Sequence, residues 1–319
     1  ATTEPDVTQA STETTEAAET TEATKEFDIS GSSIIKAGRN ELKVVVTDVA
    51  GNSKTSESIV ITNTKPSLTV TSSIAENNKK DGYLYSNGDI TVTLKVQDEN
   101  QLTSLNWADA SAGEGSVVVK NNALEQIVTD SITKASANTS GATRTYTATN
   151  VYGLTTRVDF KYIFDVTKPT LAITSLNGDS DTTKTEYYGN QSSYFTVKGT
   201  VNDSEQNASG LGDSVYYKLI GSNETPDYSS VESWSKVGIS GNSWTATLDF
   251  SSTEFVEGEK YKLLLAVKDR AGNFSDPTKN PTEKVNIFID SIEPTVTFTN
   301  PDPTKLKVEA SDGTVGSGF

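Results

Sequence analysis

Cysteine, histidine and methionine are all absent from this chain of 319 residues. Without cysteine there is no disulfide, no thiolate metal ligand and no thiol nucleophile. Without histidine the usual general base of triads and acid–base pairs is missing, and a structural zinc site loses its normal ligands. The chemistry left to an enzyme is paired carboxylates, lysine, or a metal held by oxygen, and no strand-end site of that kind is framed by the sequence. Gly210-Leu211-Gly212 and Gly316-Ser317-Gly318 are not followed by the helical pattern that a phosphate loop requires. The chain therefore reads as a non-enzyme. The missing methionine also leaves no initiator residue. With Ala1 at one end and a stop at Phe319 in what reads as mid-domain, we expect a processed chain or a fragment whose signal peptide and anchor lie outside it.

Positive charge and long apolar runs are scarce as well. There are 27 Lys and Arg against 43 Asp and Glu, a formal net charge of -16. Nucleic-acid binding selects clustered Lys and Arg, so no nucleic-acid partner is expected. The acidic excess favours solubility and attracts divalent cations. No run approaches the roughly 20 apolar residues of a membrane helix, so no membrane insertion is expected.

What the chain does have is strand after strand. Residues 1–25 are Thr, Glu and Ala with almost nothing to bury, and are expected to be a disordered linker. Beyond them, period-two runs rich in Val, Thr, Tyr and Phe mark strands with one buried face: Ile90–Val96, Thr145–Thr149, Arg157–Phe164, Tyr194–Val201 and Trp244–Phe250. Leu42–Thr47 reads as a further strand. Leu124, Ile127 and Val128 carry a helical spacing, in a window too short to decide.

The strands repeat. Asp48-Val49-Ala50-Gly51-Asn52 recurs as Asp269-Arg270-Ala271-Gly272-Asn273, with a degenerate copy at Asn150-Val151-Tyr152-Gly153-Leu154. Glycine supplies positive φ, and the Asp carboxylate bonds turn amides, so each copy predicts a hairpin turn. One strand later comes a Pro junction: Asn63-Thr64-Lys65-Pro66, Asp165-Val166-Thr167-Lys168-Pro169 and Asp290-Ser291-Ile292-Glu293-Pro294. Pro lacks an N–H and suits the first residue of a strand. Pro66 and Pro169 are 103 positions apart and Pro169 and Pro294 are 125 apart, the size of a β-sandwich domain. The expected layout is the end of one domain at 26–63, complete domains at 64–166 and 167–291, and the start of another at 292–319.

The Asp-x-Ala-Gly-Asn turn, the Thr-Lys-Pro junctions and the acidic loop after the second strand (Asn202–Leu211, again from Ser311, and worn down at Asp98–Leu102) resemble the tandem bacterial Ig-like domains of surface and secreted proteins. The resemblance covers 26–319. It implies an all-β array of immunoglobulin-like sandwiches, at the cell surface or outside the cell, acting as a semi-rigid structural or adhesive spacer. Its implied partners are neighbouring repeats and a surface ligand, protein or glycan. The alternatives are a carbohydrate- or protein-binding module, or the accessory region of a large secreted hydrolase.

Two sets of residues have both a functional and a plain reading. Asp98, Glu99, Asp203 and Glu205 in the loops, with Asp165 and Asp290 in the junctions, are candidate calcium ligands, since calcium takes about six to eight oxygens. They are also ordinary turn formers, and their spacing fits no fixed calcium loop. Trp107, Trp234, Trp244, Tyr216 and Tyr217 are candidates for a sugar-stacking platform, with Tyr187, Tyr188 and Tyr194 as further ones. The plain reading for them is core and cross-strand packing.

Overall fold

The computed structural model describes residues 25–29, 34–120, 124–184, 186–252, 254–279, 285–313 and 316–317. The expectation of disorder at 1–25 therefore falls outside the described residues except at Lys25. Among the described residues all regular structure is strand, apart from three short 3-10 turns. The described residues form two compact units, one within 1–74, 89–133 and 142–162, the other within 75–88, 134–141 and 163–319.

The first unit holds strands β1 (Ser67–Ser72), β2 (Ile90–Gln97), β3 (Leu102–Asp109), β4 (Gly113–Val117), β5 (Glu125–Ile132), β6 (Ala142–Asn150) and most of β7 (Thr155–Phe164). One antiparallel sheet runs β5-β2-β1 and the other includes β4-β3-β6-β7. The period-two pattern produces this directly. Ile90, Val92, Leu94 and Val96 on β2 have no exposure, while Thr91, Lys95 and Gln97 between them face water. The other sheet buries Leu102, Leu105, Tyr146 and Ala148. The helical spacing at Leu124–Val128 is overridden. Too few residues carry it to nucleate a helix, and residues 125–132 pair in full register with 97–90.

The Leu42–Thr47 run divides in two. Gly38–Leu42 pairs with Ile59–Asn63, and Val45–Thr47 pairs with Ser53–Thr55 across the expected Asp48–Asn52 turn.

At one end of this sandwich an arginine is buried. Arg144 is 3% exposed, donates from Nε to Asp109 at 3.2 Å and from Nη1 to Asp130 at 2.8 Å, and lies 4.0 Å above the Trp107 ring. Tyr162 donates to Asp109 (2.7 Å) and Tyr146 to Asp130 (2.8 Å). Burial on its own pushes the Asp109 carboxyl up, but the bonds from Ser111, Tyr162 and Arg144 outweigh it and hold it below the usual range. Trp107, one of the candidate platform residues, is thus half-buried under a cation.

The second unit carries the larger sandwich: β8 (Thr170–Leu176), β9 (Glu186–Gly189), β10 (Tyr194–Asn202), β11 (Leu211–Gly221), β12 (Ser235–Ser240), β13 (Ser243–Asp249), β14 (Lys260–Asp269) and β15 (Asn286–Ile289). The strand order is β8-β10-β13-β12-β11-β14-β15-β9. β12 belongs to both faces: Ser235–Gly238 pairs with β11, and Ile239 and Ser240 pair with β13. Phe195, Val197, Trp244 and Leu248 from one face share a buried cluster with Val215, Leu263, Leu265 and Ile287 from the other. Gly199 sits mid-strand in β10 because no side chain fits, as a Cβ there would lie 2.2 Å from the Ala172 carbonyl oxygen and 2.5 Å from the Trp244 ring.

Residues 75–88, 134–141 and 163–165 pack into this same unit. Tyr85, Ile163 and Ala271 form a small buried cluster, and the Asn87 amide donates to the Ala271 carbonyl at 3.2 Å. At the far end Thr295–Asp302 and Lys305–Ser311 form a hairpin.

Replacing Arg144 with Met tests the buried pair. The substitution keeps the apolar stem and strands Asp109 and Asp130, so a loss of about 3–5 kcal/mol is expected in denaturant unfolding of that sandwich. A loss below about 1 kcal/mol would place the pair with ordinary surface ion pairs.

Candidate metal centre

Three strand ends in the second unit converge on one buried point. Asp165 follows β7, Asp203 follows β10, and Asp269 ends β14 and opens the Ala-Gly-Asn turn. One carboxylate oxygen from each lies within 4.8 Å of the other two, and among the described residues this is the one such group of three.

Each side chain is held in its own way. Asp165 has no exposure and accepts from the Thr167 amide at 3.0 Å and the Ser209 amide at 2.6 Å. Asp269, 2% exposed, accepts on Oδ1 from the Gly272 and Asn273 amides and on Oδ2 from Asn273 Nδ2, each at 2.7 Å. Asn273 Nδ2 also reaches the Asp165 carbonyl at 2.9 Å, tying turn to junction. Asp203 differs: both its carboxylate oxygens are sealed from solvent and neither accepts a hydrogen bond of good geometry, the Gly210 amide being the one backbone donor near enough to lower its carboxyl.

The charge is poorly balanced. Lys80 is the nearby cation, and its ammonium donates to the Ala208 carbonyl at 3.4 Å. Among the described residues no Lys or Arg forms an ion pair with any of the three. Burial is the main reason Asp269 is pushed up to about 7. The Asn273 hydrogen bonds oppose that rise, and the charges of Asp165 and Asp203 add to it. Asp203 is raised by burial first and Asp165 second. Asp48 is the control for burial. It opens the same turn with the same bonds from Asn52, at 2.8 Å each, but is exposed, and there Asn52 lowers it.

A buried carboxylate without a donor needs a proton or a cation. Three hard oxygens, with carbonyls and water to complete a shell, suit calcium and leave nothing for a soft metal. Two of the candidate ligands, Asp165 and Asp203, are therefore brought together. Asp98 lies in the first unit with Asn63 and Asn150. Glu99 and Glu205 face solvent, and Asp290 accepts from the Ser317 and Ile292 amides. The residue sequence reasoning missed as a ligand is Asp269, which it assigned wholly to the turn. Its signal was the repeat itself, since the turn recurs one strand before each junction that follows it.

The aromatic candidates divide. Trp244 (3% exposed) is in the main core, while Trp234 (6%) precedes β12 and packs with Tyr228, Leu264 and Ala266. Tyr187 is buried, Tyr216 and Tyr217 are half-buried, and Tyr188 and Tyr194 are exposed.

No family model matches the chain, and no curated protein matches it in sequence. Among solved structures it is similar to the fibronectin(III)-like modules of Clostridium thermocellum CbhA, with 16% identity, a TM-score of 0.42, and 70% of this chain and 94% of that one covered. It is also similar to a 1.5-MDa bacterial ice-binding adhesin (15%, TM-score 0.30, 80% and 73% covered). A third likeness is to a tetra-tandem repeat in the extending region of a large adhesion protein (14%, TM-score 0.28, 90% and 74% covered). At these TM-scores the likenesses add nothing to the strand pairing, which itself gives the all-β sandwich. Among the described residues no helix is long and apolar enough to cross a membrane.

The raised Asp269 carboxyl makes a pH prediction. Its ordinary value is 3.8 and its folded value about 7, so between those limits the folded state holds a proton that the unfolded state has lost. That contribution is present at low pH and is lost as pH rises through about 7. In chelator, Asp269→Asn should therefore match the parent near pH 4 and exceed it above pH 7, by on the order of 2–4 kcal/mol. Parallel stability curves for the two proteins would show that Asp269 titrates normally.

Proposed function

We propose that this chain is a structural and adhesive spacer from a bacterial surface or secreted protein, with sandwich domains at 64–166 and 167–291 flanked by parts of two more, and that calcium held by Asp165, Asp203 and Asp269 fastens the junction segment that begins at Asp165 to the second sandwich. The observation that carries this reading is the sealed, unpartnered Asp203 carboxylate facing two other buried carboxylates. A cation there ties the end of β7, the loop after β10 and the turn after β14 into one knot. That is a mechanical role, and it suits a chain with no cysteine to staple it. The surface ligand, protein or glycan, belongs to this reading as an adhesive partner. The rival reading as a carbohydrate-binding module loses support because Trp234 and Trp244 are buried.

Thermal unfolding of the full chain with calcium and with chelator tests the proposal. Calcium at about 100 times its dissociation constant contributes about 2.7 kcal/mol to the folded state, a rise of about 8–16 °C for domains of this size. Asp203→Asn should remove most of that rise. An unchanged midpoint in the parent protein would exclude a specific site and leave a passive spacer.

A further inference from the structure

The first sandwich contains the same site in another chemical form. Asn63 stands three residues before Pro66, and Asp165 four residues before Pro169, each at the start of its junction. Asp98 directly follows β2 as Asp203 directly follows β10, and Asn150 ends β6 as Asp269 ends β14. All three are buried, with exposures of 1%, 6% and 1%. The turns share their backbone bonds and one side-chain bond, while the second amide reaching the side-chain oxygen is that of Tyr152 in one and Gly272 in the other. The Leu154 amide donates to Asn150 Oδ1 at 3.0 Å where the Asn273 amide donates to Asp269 Oδ1 at 2.7 Å. The return bonds, from the Asn150 amide to the Leu154 carbonyl and from the Asp269 amide to the Asn273 carbonyl, are 3.1 and 3.0 Å.

The two sites part at the other side-chain atom. In the first sandwich it is Asn150 Nδ2, a donor, which reaches Asp98 Oδ2 at 3.2 Å, Asn63 Oδ1 at 3.1 Å and the Thr64 carbonyl at 2.9 Å. It binds loop and junction to the turn with no help. In the second sandwich the equivalent atom is Asp269 Oδ2, an acceptor already served by Asn273 Nδ2, and one Asp269 oxygen lies within 4.8 Å of Asp165 and Asp203, which are also acceptors. One carboxylate in the first set becomes three in the second; Asn273 Nδ2 still ties the turn to the junction carbonyl, but the side-chain donor that reached the loop carboxylate is gone.

We propose that the side-chain amide of Asn150 is a built-in replacement for a divalent cation, so that the first site is closed permanently and takes no calcium while the second closes only when calcium binds. This rests on the calcium reading of Asp165, Asp203 and Asp269. It makes calcium a selective switch: removing it loosens one site of the chain and leaves the other intact.

The experiment converts one site into the other in the full chain, with calcium alone as the probe, at physiological ionic strength so that diffuse attraction to the acidic surface is screened. Tight calcium sites are counted by titration for the parent and for the Asn63→Asp, Asn150→Asp double variant. The expected counts are one and two. One and one would overturn the replacement while leaving the calcium reading in place. None and one would overturn the calcium reading and with it the switch. None and none would overturn both.

Single variants guard against a double variant that fails to fold. In chelator, Asn150→Asp and Asn150→Ala should both melt below the parent, and calcium should restore the first and not the second. Restoration of both, or of neither, overturns the proposal. In the reverse direction Asp269→Asn supplies the amide, so it should be indifferent to calcium and at neutral pH should melt no lower than the parent does in chelator. An Asp269→Asn protein that still gains stability from calcium would also overturn it.

Discussion

A carboxylate removed from water must be given a donor, a proton or a cation, and the polar architecture of both units follows from how that demand is met. Asp109 takes a guanidinium and a phenol. Asp98 takes an amide from Asn150. Asp48 stays in water and needs only its own turn. At Asp165, Asp203 and Asp269 the demand is the same and the local donors fall short: backbone amides and Asn273 serve two of the three, and Asp203 has no well-formed hydrogen bond, only the nearby Gly210 amide. The contrast between Asp48 and Asp269 separates cause from accompaniment. Turn sequence and the Asn side-chain bonds are shared, and burial, with the Asp165 and Asp203 charges adding to it, reverses the direction in which the carboxyl moves.

The sandwich forces this burial because its cores are apolar to the ends of the strands. Val201 on β10 and Val267 on β14 are 2% and 0% exposed, and Asp203 and Asp269 come two residues later. Ile163 and Phe164 on β7 lead directly into Asp165 in the same way. Strand ends that must enter turns or junctions thus deliver polar side chains to the rim of a dry core. In a chain with cysteine a disulfide could fasten such a rim. Here the fastening has to be polar, and a polar knot has the property that its chemistry can be changed by one atom, Nδ2 for Oδ2.

Much of the fold was legible because period-two runs state which face is buried, and β2 shows it at every position. The repeat, read from Asp48, Asn150 and Asp269, located the turns, and all three adopt the same backbone bonds although the middle copy keeps only the glycine of the motif. Less was legible wherever the decisive fact was depth. Trp234 and Trp244 flank one turn in sequence, yet they fall in different clusters, because Trp234 precedes the strand and faces away from the sheet-to-sheet core. Glu99 sits next to the buried Asp98 and faces solvent, since neighbours on an extended chain point in opposite directions, and Glu205, two residues beyond Asp203 in an irregular loop, is exposed as well. The break in Leu42–Thr47 is also invisible to periodicity, which carries no record of which partner strand each half will find.

The same limit explains why the metal candidates were half identified. Acidic loops near a junction are common, and charge by itself cannot distinguish a solvated turn from a ligand. What distinguishes them is whether a donor is already present, and that depends on a residue far away in sequence: Asn150 is 52 positions from the Asp98 it serves. Comparing corresponding positions of the repeat supplies that information without coordinates. Where the junction, loop and turn positions read Asn, Asp, Asn, the set contains its own donors. Where they read Asp, Asp, Asp, it contains none, and a buried set of three carboxylates with no donor among them has to draw its positive charge from solution. On this argument the identity of the residue that opens the turn, Asn or Asp, decides whether a repeat of this type is self-sufficient or answers to the ions around it.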